Sequence, residues 1–178
     1  MTSTDMIKDM LEIQKAYDEE VSKKHNVDYV SKAQLESALF DELGELMHAQ
    51  KADWCWWKKA QAPVDDKKVL CELVDVWHFV LSYQNNFNVK NGILNSLMFN
   101  RNSNEIIYLL LIDEYKLSEA LTDLATLNID KMERLVAISE YLGFTIEDVY
   151  QAYCDKNKVN YKRLKEGYNI WKRLFKCH

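Results

Sequence analysis

Glu42-Leu-Gly-Glu45 and Glu72-Leu-Val-Asp75-Val-Trp-His-Phe79 decide how this chain is read. In each stretch two acids stand at i, i+3, so on a helix both carboxylates leave one face a turn apart. Glu72 and Asp75 are flanked by Val69, Leu70, Leu73, Val74, Val76, Trp77, Phe79, Val80 and Leu81, a helix with little other polar surface. Acids in such company are costly to bury and repel one another, so they require a lysine or arginine, a shared proton or a metal ion. Taken singly, Glu42 and Glu45 also suit a solvated helix face. A turn-like segment separates the two pairs and would fold them into facing helices, which favours the metal. Four carboxylates offer hard oxygen ligands, suited to magnesium or manganese, and no His or Cys pair at zinc spacing competes. A magnesium site of this kind keeps positions for water and substrate phosphates, which points to phosphate chemistry.

The chain has 178 residues, one proline and four glycines, and is rich in Leu, Lys, Glu, Ala and Asp. Its length fits a single domain over residues 1–178, and its scarcity of breakers predicts an all-α fold. A formal charge of −5 argues against non-specific nucleic-acid binding as the main task. Cys55, Cys71, Cys154 and Cys177 form no C-x-x-C pair, which predicts reduced thiols and a cytoplasmic location. No run of 18 apolar residues predicts a membrane span.

Read in order, the first helix is capped by Ser3 or Thr4 and runs to about Lys24, with Gln14 in its apolar region. Its amide can donate and accept, as reading a nucleobase edge requires, and it equally suits a helix residue packed through its methylenes. Ser31 caps a second helix from Lys32 to about Lys51, and the third runs from Asp65-Asp66 to about Asn85. Between them Trp54, Trp56 and Trp57 cluster ahead of Lys58, a pattern that serves packing or walls a base beside a phosphate. His78 reads as a hydrogen-bonded helix residue with no catalytic duty. Residues 86–126 read as shorter helices, with Asn102-Ser-Asn-Glu105 as a cap, and the next helix starts at Asn128 or Asp130 and ends at Gly143. Thr145-Ile-Glu-Asp148 opens the last long helix, which extends to about Leu164 and carries Lys156, Asn160 and Arg163 on one face at i, i+4, i+7. Such a face is often merely solvated, but opposite a magnesium site it can grip a polyphosphate.

These residues resemble the all-α dimeric dUTPases of the all-α nucleotide pyrophosphatase superfamily. The likeness rests on Met10-Leu-Glu-Ile-Gln14-Lys-Ala-Tyr-Asp18, Glu42-x-x-Glu45, Trp56-Trp57-Lys58, Glu72-Leu-Val-Asp75-Val-Trp-His-Phe79 and Lys156-Asn-Lys-Val-Asn160-Tyr-Lys-Arg163 with Gly167-Tyr168, in family order. The acidic pairs are shared across the superfamily; the C-terminal pattern narrows the likeness. The resemblance implies an all-α helical bundle with a four-helix core, in which Glu42, Glu45, Glu72 and Asp75 bind Mg2+, or Mn2+ as a substitute. It implies hydrolysis of dUTP to dUMP and pyrophosphate, with Glu42 and Glu45 as the catalytic pair acting on the attacking water. Lys58, Lys156, Asn160, Arg163 and Tyr168 would meet phosphates or close the pocket, Gln14 and Trp57 would face the uracil, and the protein would be a homodimer. Two departures stand out: Asp18 replaces the asparagine of many relatives, and Arg163 is followed by Leu164-Lys165-Glu166 rather than a more polar run.

Two other readings remain at this level. One is a sister pyrophosphatase acting on dCTP or a broader set of nucleoside triphosphates, separable by a substrate panel. The other is a non-catalytic helical interaction protein, which magnesium and a non-hydrolysable nucleotide would leave thermally unchanged.

Overall fold

The computed structural model describes residues 1–51, 54–58, 62–87, 96–127 and 130–167, with only the backbone of 96–100. Seven helices and no strand occur among the described residues: α1 Ser3–His25, α2 Lys32–Gln50, α3 Asp66–Phe87, α4 Ser96–Leu111, α5 Leu117–Thr126, α6 Lys131–Tyr141 and α7 Ile146–Glu166. The all-α expectation holds.

Local chemistry sets the ends. Thr2, Ser31 and Thr145 each accept a hydrogen bond from the backbone N–H three residues on, while Asp5, Gln34 and Asp148 reach back to the cap N–H. These reciprocal boxes satisfy amides that the first helical turn leaves open. The α1 cap is therefore Thr2, earlier than Ser3 or Thr4. α3 follows Pro63, and Asp65 Oδ1 accepts from Lys67 N–H at 3.0 Å. The α6 exit needs Gly143: its φ is +89°, and the following Phe144 N–H reaches back to Ser139 O at 3.0 Å. Asn102-Ser-Asn-Glu105 is not a cap, because α4 begins at Ser96 and buries Ser103 within it.

α3 is the central element and packs against α1, α2, α6 and α7, while α6 carries α4 and α5 behind it. A helix buried on nearly every side explains why its sequence is apolar all round. Trp77 is fully buried and donates its indole N–H to Ser139 Oγ at 3.0 Å, tying α3 to α6. Lys131, also buried, donates to the carbonyls of Leu124 and Ala125 at 2.6 and 3.2 Å, so its charge caps the α5 C-terminus. Cys55 and Cys154 are free thiols, but Cys71 is disulfide-bonded, so the expectation of four reduced thiols does not hold.

Candidate active site

The i, i+3 spacing on α2 turns Glu42 and Glu45 toward α3, where Glu72 stands only 3% exposed. One carboxylate oxygen from each of the three lies within 4.8 Å of the others. Three like charges so close, one of them buried, are tolerable beside a cation. Among the described residues no His or Cys joins the group, and this all-carboxylate donor set fits a hard divalent ion.

Asp75 leaves α3 one turn further on but belongs to a different interaction. Its Oδ2 accepts from Lys156 Nζ at 2.8 Å, an ion pair in which both side chains are largely buried. The structure thus brings three of the four sequence-predicted ligands together and holds the fourth against α7.

Beside these acids, α1, α2, α3 and α7 enclose a cavity of about 790 Å3 whose wall includes Gln14, Asp18, Glu42, Asp75, His78, Ser82, Lys156, Asn160 and Arg163. The i, i+4, i+7 face of α7 therefore does look into the cavity. Among the described residues no carboxylate pairs with the Arg163 guanidinium. The end of α7 is fixed from α1, where Lys24 Nζ donates to the carbonyls of Leu164 and Lys165. Acids at one end and cations beside them suit a chain of phosphates bridged to a divalent ion.

Gln14 lines the same cavity from α1 and is only 3% exposed. Its Nε2 donates to Asp18 Oδ1 at 2.8 Å and to Ser82 Oγ at 3.1 Å. Its Oε1 accepts from His78 Nδ1 at 2.7 Å and from Tyr153 OH at 2.9 Å. A primary amide has two donors and two acceptor lone pairs, and all four are engaged. Gln14 thus organises the wall, and it would have to surrender a partner to read a base edge.

The same bonds fix their neighbours. Because Gln14 Oε1 can only accept, His78 carries its proton on Nδ1 and leaves Nε2 as a lone-pair acceptor. Burial, with the Lys156 charge behind it, lowers the imidazole pKa to about 3, so His78 is neutral at pH 7. Ser82, accepting from Gln14, donates onward to Asp18 Oδ2 at 2.7 Å. Burial raises the Asp18 carboxyl above its ordinary value, while the Ser82 and Gln14 donors oppose that rise.

The structure does not bring Trp57 and Lys58 to this cavity. α2 ends on Lys51 in a left-handed conformation, and Trp54 Nε1 donates back to Met47 O at 3.1 Å, folding the segment against the helix end. Trp57 packs edge-to-face with Trp54 and Trp56 and stays 57% exposed. Tyr168 lies outside the described residues. Sequence reasoning gave no site role to Asp18, His78, Ser82 or Tyr153; the available signal was polar residues four apart in apolar surroundings, as in Gln14/Asp18 and His78/Ser82.

Among the described residues no helix is long and apolar enough to cross a membrane. None of the curated proteins matches the chain. A family model described as dUTPase matches residues 6–168.

Proposed function

The chain belongs to the all-α dUTPase family of nucleotide pyrophosphatases, and from that premise we propose that it hydrolyses dUTP to dUMP and pyrophosphate with Mg2+. Membership makes it a nucleotide diphosphohydrolase; the uracil substrate and the metal are the proposal. One observation carries it: the oxygens of Glu42, Glu45 and Glu72 converge within 4.8 Å beside a cavity edged by Lys156 and Arg163.

Glu42, Glu45 and Glu72 would hold the metal, with Asp75 joining them on release from Lys156. Mg2+ bound there, or Mn2+ in its place, would neutralise phosphate charge in the transition state. Glu42 and Glu45 orient the attacking water and accept its proton. The water oxygen attacks the β-phosphorus as the bond to the α–β bridging oxygen breaks, so dUMP leaves and pyrophosphate carries the new oxygen. Lys156, Asn160 and Arg163 bind the phosphates, and Tyr168 is a further residue proposed to meet them, whereas Trp57 and Lys58, which do not line the cavity, are given no part. Gln14 keeps the base wall in register through its four hydrogen bonds.

The whole chain acts as one domain in the cytoplasm, with a nucleotide rather than a nucleic acid as its ligand. It works as a homodimer, a reading supported by Trp56, Trp57 and Phe40, which are 85, 57 and 52% exposed. Sedimentation equilibrium at micromolar concentration tests the dimer.

The activity test is a panel of deoxynucleoside triphosphates with magnesium, repeated with chelator and with Glu72→Ala. Hydrolysis of dUTP that chelator and the substitution both abolish is expected. A magnesium-replete, folded sample inactive on every member overturns the reading.

A further inference from the structure

The network around Gln14 bears on base selectivity, an inference that rests on the pyrophosphatase reading. With the Gln14 amide fully engaged, the next polar group on that wall is Asp18. Its Oδ1 accepts one hydrogen bond from Gln14 and its Oδ2 one from Ser82. Each oxygen of a carboxylate has two lone pairs, so one remains on each for a ligand. Asp18 is half-buried and lines both the main cavity and an adjoining one of about 490 Å3. Among the described residues no cation pairs with it, in contrast to Asp75 and its lysine. Gln14 Nε2–H and Ser82 O–H both donate to it, which favours the ionised form against the burial that opposes it.

Position along α3 adds a second observation. Ser82, which holds Asp18, follows the metal-cluster residue Glu72 by ten positions, about 15 Å along the helix axis. A nucleotide with its phosphates between Glu72 and Lys156 therefore directs its nucleoside end toward Asp18. What an acceptor-only group can read there is limited. Uracil has one donor on its pairing edge, N3–H, flanked by two carbonyl oxygens that a carboxylate repels. Cytosine carries an exocyclic amino group with two donors, the group that Asp and Glu side chains recognise on this base.

We propose that Asp18 accepts a hydrogen bond from the exocyclic amine of cytosine, so that the enzyme hydrolyses dCTP as well as dUTP and Asp18 sets the ratio. An asparagine here presents a donor beside its acceptor and meets the carbonyl-rich uracil edge without repulsion. The carboxylate shifts the balance toward the amino-bearing base.

The test measures kcat/KM of the full chain with magnesium for dUTP and dCTP, in the parent and in Asp18→Asn. The parent is expected to turn over dCTP, and the substitution to lower the dCTP-to-dUTP ratio by about tenfold or more. A parallel measurement on the parent alone, independent of how the variant folds, uses the triphosphate of the 2-pyrimidinone deoxyriboside, which lacks only the amino group. Its kcat/KM should fall about tenfold or more below that of dCTP. Turnover of dUTP with none of dCTP, an unchanged ratio in a folded Asp18→Asn, or equal rates for dCTP and its analogue lacking the amine each overturn the role of Asp18. Those results leave the pyrophosphatase reading intact, whereas a parent inactive on every triphosphate removes both.

Discussion

Acidifying the buffer tests how tightly the wall around Gln14 is held, because His78 is kept neutral inside it. The imidazole titrates at about 6.5 when exposed and at about 3 in the fold, mainly through burial and secondarily through the Lys156 charge. Below pH 6.5 the unfolded chain takes up a proton that the native state refuses. The stability due to this difference is complete above pH 6.5 and is lost as the pH falls toward 3. The loss develops at about 1.4 kcal/mol per pH unit. By pH 5 it amounts to about 2 kcal/mol, and fully developed it approaches about 5 kcal/mol, an upper bound for one group. Other carboxylates also titrate in this range, so the informative quantity is a difference against His78→Asn, which keeps an N–H for Gln14 Oε1 and cannot titrate. Urea unfolding of both proteins at pH 7, 6 and 5, followed by circular dichroism, supplies it. The parent should lose about 2 kcal/mol more than the variant between pH 7 and 5. Parallel pH profiles would refute the burial of a neutral His78.

The carboxylate cluster makes its own prediction: magnesium at about a hundred times its dissociation constant should stabilise the parent by about 2.7 kcal/mol. Glu72→Gln should lose most of that gain, which scanning calorimetry with and without magnesium reads. Lys156→Met strands the largely buried Asp75 carboxylate and should cost about 3–5 kcal/mol in urea unfolding, with loss of phosphate affinity measured by calorimetry on a non-hydrolysable triphosphate. Trp77→Ala opens a cavity at the fully buried junction of α3 and α6, a loss of about 3–5 kcal/mol in the same unfolding assay.

What the sequence made legible was whatever depends on neighbours a turn away. Ser31 and Thr145 announce their helices because the capping box is written within four residues. The acidic pairs announce a shared face for the same reason. Asn102-Ser-Asn-Glu105 imitates that local signal yet lies inside α4, where the burial of Ser103 outweighs its preference for a helix end. The partners of Gln14 could not be read in this way, since His78, Ser82 and Tyr153 stand 64, 68 and 139 residues away. An amide that can read a base and an amide saturated by its own fold look alike in sequence. Asp75 illustrates the same limit: the pattern gives it the chemistry of a metal ligand, and only packing of α7 on α3, across 81 residues, brings Lys156 to it. Trp57 and Lys58 have the residue types of a base-and-phosphate wall, but neither lines the cavity, and Trp57 packs on Trp54 and Trp56 instead.

Three converging carboxylates and the cations beside them must act together on a triphosphate if this chain is the pyrophosphatase its site suggests. The direct measurement is phosphorus NMR of dUTP incubated with the full chain and magnesium. Signals of dUMP and pyrophosphate should grow in equal amounts, with neither dUDP nor inorganic phosphate as a primary product. Primary release of inorganic phosphate, or an unchanged triphosphate spectrum from folded, magnesium-loaded protein, would contradict it.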